Sequence, residues 1–128
     1  MTSSIEKIVA LIPDIKEKDR NLIEKAYNFA KKAHDGQLRK SGEPYFIHVF
    51  YTAYNLADLG MNPTVICAGF LHDVLEDTPI TEEELTKEFG EEITSLVKGV
   101  TKLGTVKYKG TPAITQTIAG VGSVINDN

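Results

Sequence analysis

The segment NPTVICAGFLHDVLEDT, residues 62–78, decides the fold of this protein. Asn62 and Pro63 form a typical helix start, an N-cap residue followed by proline. Residues 64–76 are apolar nearly all round, which predicts a central buried helix. Its polar exceptions lie at the carboxyl end: His72, Asp73, Glu76 and Asp77. Because buried carboxylates are costly unless they are paired or bound to a metal, packing does not explain this cluster.

Helical patterns flank the central segment on both sides. They cover residues 5–11, 19–34, 44–59, 81–89 and 91–100. We expect Asp19 to be an N-cap, and Thr81 with Glu84 to form a capping box. The spacing of apolar residues within these segments is helical throughout. The prediction is an all-α fold, a bundle of about five helices.

The composition of the chain changes near its end. Residues 110–128 contain no Lys, Arg or Glu, and Asp127 is the one charged residue there. Thr, Gly, Ile and Val dominate this stretch, and glycines interrupt its apolar run. We therefore predict a folded domain over residues 1–109 and a strand-like or disordered tail over residues 110–128.

Charge and cysteine content narrow the function classes. The net charge is −4, from 14 Lys and Arg against 18 Asp and Glu. This balance argues against binding of nucleic acid, which needs a basic face. Cys67 is the single cysteine, so no internal disulfide can form, which fits the cytoplasm. No signal peptide and no apolar run of about 18 residues is present, so we expect no membrane association.

His72 and Asp73 at the end of the central helix, with His48 on the preceding one, form a candidate metal site. Adjacent helical residues point about 100° apart, so both can reach one ion only if it lies beyond the flank of the helix. His48 could close the site from its own helix. Imidazole and carboxylate together suit Mn²⁺, Fe²⁺ or Zn²⁺.

Two further carboxylates follow at helical spacing. Glu76 lies four residues after His72, and Asp77 lies four residues after Asp73, so each pair shares a helical face. Beside an ion, these carboxylates could orient or deprotonate a water molecule. A solvated helix end is the alternative, and the isolated His34 is interpreted as an ordinary structural histidine.

Four segments in order give this chain a family resemblance: AHDGQLRKSGEPYFIH, AGFLHDVLEDT, an acidic linker to FG, and GVTKLG. From Asp19 to about Lys109 the chain resembles the hydrolase domain of RelA/SpoT-type (p)ppGpp synthetase/hydrolases. The resemblance implies an all-α HD fold that holds one Mn²⁺ and cleaves the 3′-pyrophosphate from ppGpp or pppGpp. The implied residues are His48, His72 and Asp73 as metal ligands, Glu76 and Asp77 as the water-activating pair, and Arg39 and Lys40 as nucleotide contacts.

The chain departs from the family pattern in two places. Val49 follows His48 where the family usually has proline, which leaves the ligand itself in place. The family also continues past the KLG segment with helices that supply a fourth metal ligand, an Asp. The last residues here do not resemble that region, so the ligand role is not transferred to Asp127, and no synthetase domain is recognised.

Three hypotheses follow for the function. The leading one is metal-dependent hydrolysis of the alarmone (p)ppGpp, with a small guanosine nucleotide as the substrate. The second is a catalytically incomplete HD remnant or a regulatory module that binds a nucleotide. The third is an HD phosphohydrolase that acts on another nucleotide.

Overall fold

The computed structural model describes the backbone of residues 4–105 and the side chains of residues 4–99. The described residues form seven helices and no strand, apart from one isolated antiparallel bridge between Leu38 and Pro44. The helices are α1 (Ile5–Val9), α2 (Glu17–Ala33), α3 (Tyr45–Asp58), α4 (Pro63–Leu71), α5 (Val74–Asp77), α6 (Glu82–Phe89) and α7 (Glu91–Thr105). The predicted all-α fold is confirmed. The predicted tail, with Asp127, lies outside the described residues.

Helix α4 is the centre of the bundle, as its composition predicts. Residues 65–71 are all buried, and the helix packs against α2, α3 and α7. Each fully buried large apolar side chain contributes about 1.5–3 kcal/mol through its removal from water. Cys67 lies within this core, and burial raises the pKa of its thiol to about 12. The thiol therefore stays protonated and unreactive at neutral pH.

Two of the predicted helix starts have the capping contacts that the sequence indicates, and a third does not. The Asn62 side chain accepts a hydrogen bond from the Val65 amide, and Thr81 and Glu84 form the predicted capping box. Helix α2, however, begins at Glu17, and Lys16 occupies the N-cap position without a side-chain hydrogen bond. The prediction of Asp19 as N-cap is therefore wrong. The residue lies in the first turn, where its charge is still favourable beside the helix dipole.

The predicted helix over residues 64–76 is interrupted at His72 and Asp73. Asp73 has a ψ of 0°, well away from the helical value of about −42°. The Nδ1 atom of His72 lies 2.6 Å from the Gly69 carbonyl oxygen. In an uninterrupted helix this carbonyl would accept from the amide of residue 73. The break separates α4 from α5 and places both residues at a turn, where their side chains can converge.

A close approach between α3 and α4 fixes the frame of the site. A Cβ atom at Gly69 would lie 2.5 Å from Leu56 Cδ1 and 3.3 Å from Ala53 Cα. A larger residue at position 69 would therefore force the Leu56 side chain to move and would press on the backbone of α3. The contact lies about one turn from His72 on α4 and one to two turns from His48 on α3.

Within the described part of the chain, no helix has the length and apolarity that crossing a membrane requires.

Candidate metal centre

Three side chains converge where α3 meets the turn between α4 and α5. Single ligand atoms of His48, His72 and Asp73 all lie within 4.8 Å of one another. His72 Nε2 is 2.8 Å from Asp73 Oδ2, and His48 Nε2 is 4.0 Å from the same oxygen. Metal–ligand bonds of about 2.0–2.2 Å put two ligands of one ion at most about 4.4 Å apart. The three atoms thus lie at nearly the separation that one shared ion requires.

The His72 ring is oriented for metal binding by its other nitrogen. A carbonyl oxygen can only accept, so the contact with Gly69 O places a proton on Nδ1 and turns Nε2 toward the cluster. The imidazole is buried, with 4% of its side chain exposed, which limits rotation. Such an orienting hydrogen bond is the usual companion of a metal-binding histidine.

His48 and Asp73 both favour the protonation states that metal ligands need. Burial, helped by the neighbouring His72, lowers the pKa of His48 below its usual 6.5. Burial alone would raise the pKa of Asp73, but hydrogen bonds from His72 and Tyr45 and the charge of His72 lower it below 3.8. At neutral pH the cluster therefore offers a neutral imidazole and an anionic carboxylate.

Tyr45 is a member of the site that the sequence interpretation missed. Its hydroxyl donates a hydrogen bond to Asp73 Oδ2, and its ring packs on His34 and His48. Burial and the hydrogen bond to Asp73 raise the pKa of the Tyr45 phenol, so the hydroxyl remains a donor. The sequence did contain a signal for this role, because Tyr45 precedes His48 by three residues and both therefore lie on one face of α3.

Replacing Tyr45 with phenylalanine should weaken Mn²⁺ binding by about 10-fold or more, because Asp73 loses the partner that holds its carboxylate. The ring contacts with His34 and His48 are kept in this variant. Titration calorimetry of metal-free protein measures the change. Tyr54→Phe, on the same helix but outside the cluster, is the matched control. Equal Mn²⁺ affinities of the two variants would rule out this role for the hydroxyl.

The predicted nucleotide-contacting residues line a cavity that reaches the cluster. Arg39 and Lys40, together with Leu38, Ser41 and Glu43, surround a space of about 610 Å³ whose remaining wall is Tyr45. The positive charge of Arg39 partly offsets the rise in the Tyr45 pKa, which burial dominates, and it adds to the lowering of the His48 pKa, of which burial is the main cause. A phosphate or a base plane could bind in this cavity within reach of an ion at the cluster.

The predicted catalytic pair lies outside the ligand group. Glu76 and Asp77 are exposed residues of the short helix α5. Burial and Asp73 are the main causes of the raised pKa of Tyr45, and the negative charge of Asp77 adds to them. Because the helix breaks at Asp73, the predicted stacking of His72 on Glu76 in one continuous helix is wrong. The role of the pair in catalysis stays a prediction.

The helical fold and the His–His–Asp cluster define a class of metal-dependent domains. A family model described as "HD domain" matches residues 26–118. The chain belongs to the HD domain family.

Curated relatives make the resemblance more specific. A protein of Aquifex aeolicus named guanosine-3′,5′-bis(diphosphate) 3′-pyrophosphohydrolase is 46% identical over 113 residues, covering 88% of this chain and 16% of the relative. A protein of Spiroplasma citri with the same name is 54% identical over 81 residues, covering 63% and 11%. A GTP pyrophosphokinase of Myxococcus xanthus is 48% identical over 98 residues, covering 77% and 13%. The resemblance to the RelA/SpoT family is confirmed, and this chain spans only a small part of each relative.

Proposed function

We propose that this chain is a hydrolase domain that removes the 3′-pyrophosphate from ppGpp or pppGpp and releases GDP or GTP, with Mn²⁺ as the cofactor. The observation that carries the proposal is the convergence of His48, His72 and Asp73 beside the cavity lined by Arg39 and Lys40. The printed names of the relatives support the same substrate.

The three candidate ligands in the described part of the chain would suit a catalytic ion. Catalytic sites commonly use three protein ligands and leave positions open for water and substrate. Two imidazoles and a carboxylate are compatible with Mn²⁺, and with Fe²⁺ or Zn²⁺ as alternatives. When bound, the cation supplies positive charge that neutralises the pyrophosphate and acidifies the attacking water.

The cationic loop binds the substrate in this proposal. Arg39 can fork onto a phosphate or stack on the guanine ring, and Lys40 adds a point charge. Both residues line the same cavity. The proposal requires that the nucleotide bind there with its 3′ side toward the metal cluster. This binding confines the scissile bond next to the reacting water.

Glu76 and Asp77 guide protons in the proposed reaction. A carboxylate accepts a proton from water as the water oxygen bonds to the phosphorus on the 3′ oxygen. The bond between that phosphorus and the 3′ oxygen breaks, and the oxygen leaves as a hydroxyl after it takes up a proton. General acid–base help of this kind is worth roughly 10²–10⁴-fold in rate. We place the reaction in the cytoplasm, which the single cysteine supports.

The direct test is pyrophosphate release from ppGpp by the purified chain. We expect turnover with added Mn²⁺, none after treatment with a chelator, and recovery when Mn²⁺ is restored. Calorimetry with ppGpp run in parallel separates binding from cleavage. Binding without turnover would favour the non-enzymatic nucleotide-binding hypothesis, and a panel of other nucleotides would test the third hypothesis. No turnover at saturating Mn²⁺ overturns the proposed activity.

A further inference from the structure

Gln37 links two parts of the site that are distant in sequence. Its Oε1 atom lies 3.0 Å from His34 Nδ1, and its Nε2 atom donates to the backbone carbonyl oxygen of Asp77 at 2.8 Å. His34 follows the end of α2, and Asp77 is the last residue of α5. One amide side chain therefore joins the loop after α2 to the carboxyl end of the short acidic helix.

The direction of each hydrogen bond follows from the groups involved. The Asp77 carbonyl can only accept, so the NH₂ group of Gln37 must face it and the oxygen must face His34. His34 then donates from Nδ1. Its ring is 2% exposed and lies 5.1 Å from the Tyr45 ring between centroids. The anchor for Gln37 is thus itself held rigidly in the core.

The loop that starts at Gln37 is internally braced. The Tyr45 amide donates to Gln37 O at 2.8 Å, and the Arg39 amide donates to Glu43 O at 2.8 Å. Gly42, with a φ of 90°, closes the turn by donating to Arg39 O at 2.8 Å. Arg39 and Lys40 are therefore carried on a small hairpin, and displacing its base moves both cations together.

We infer that Gln37 is a positioning residue that holds the Arg39–Lys40 hairpin at a fixed distance from the Glu76–Asp77 pair. The inference rests on the proposed function, because that function assigns substrate binding to the first group and water activation to the second. Helix α5 has only four residues, so it has fewer internal hydrogen bonds to keep it in place than a longer helix has. The Gln37 bond to its last residue supplies that restraint.

The test compares Gln37→Glu with the parent chain. The glutamate still accepts from His34 but cannot donate to the Asp77 carbonyl. We expect faster hydrogen exchange of the Asp77 amide, which donates to Asp73 O at 2.9 Å in the parent. We also expect a roughly 10- to 100-fold lower kcat for ppGpp, since a displacement of about 1 Å can cost this much. Mn²⁺ affinity should be unchanged. Asn28→Asp, an exposed amide on α2, is the matched control.

A double-mutant cycle separates positioning from general loss of stability. In an Asp77→Asn background, Gln37→Glu should lower kcat by less than threefold. The Asp77 carboxylate, which Gln37 helps to position, is already absent from this background. Full additivity overturns the inference, as does unchanged exchange of the Asp77 amide. If the parent chain shows no turnover, the proposed function is wrong. The hydrogen exchange of the Asp77 amide would still test whether Gln37 restrains α5.

Discussion

His72→Ala should abolish Mn²⁺-dependent pyrophosphate release, with a loss of at least about a thousandfold, or about 4 kcal/mol in activation free energy. The substitution removes the ligand nitrogen that lies 2.8 Å from Asp73 Oδ2. It also leaves the Gly69 carbonyl without its imidazole partner. Steady-state kinetics at saturating Mn²⁺, together with calorimetric titration of the metal, measure the effect.

Alanine substitutions at His34 and His48 provide the comparison for His72→Ala. His34→Ala removes a buried ring outside the ligand group, so we expect its Mn²⁺ affinity to stay within about threefold of the parent. His48→Ala, at a more exposed ring, should lose affinity as His72→Ala does even if the latter folds poorly. Retention of parental Mn²⁺ affinity by folded His72→Ala or His48→Ala would refute the assignment of the cluster.

Gly69→Val should destabilise the fold by about 3 kcal/mol and lower Tm by roughly 10 °C or more. Even a methyl group at this position would meet Leu56 Cδ1 at 2.5 Å. Leu56 is fully buried in a close-packed core, so its side chain can move only by displacing its neighbours. The helix propensity gained by replacing glycine is below about 1 kcal/mol and does not offset the clash. Thermal and urea unfolding of metal-free protein measure the loss.

Removing the opposing side chain should partly rescue a smaller substitution. Leu56→Ala alone creates a cavity and costs about 2–5 kcal/mol. Combined with Gly69→Ala, it removes the clashing carbon, and the new methyl group fills part of the space. The double variant should therefore lose less stability than the sum of the two single variants. Strict additivity would show that the close contact of α3 with α4 is not the cause.

Most of the helical architecture could be predicted because it depends on local signals. Asn62, Pro63 and the Thr81–Glu84 capping box mark helix starts through their own hydrogen bonds and backbone angles, and the structure has them as predicted. Helix α7 runs to Thr105, beyond the predicted end at residue 100. The break after Leu71 could not be predicted, because it depends on an imidazole turning back onto the Gly69 carbonyl.

The sequence was enough to predict the candidate metal ligands, which the structure brings together, but not the residues that support them. His48, His72 and Asp73 stood out as polar groups in apolar helices, and the structure brings them together. Tyr45 and Gln37 did not stand out in the sequence, since a tyrosine in a helix and a glutamine in a loop are common. Their roles depend on contacts with Asp73 and Asp77, which lie far along the chain.

The ligands of the cluster come from two stretches of chain that only the folded bundle holds side by side. An ion bound by all three, as we propose, would act as a removable cross-link between α3 and the turn after α4. The unfolded chain cannot offer the same three atoms together, so occupancy by metal draws the equilibrium toward the native state. The concentration of available metal would then affect the stability of the domain as well as its activity.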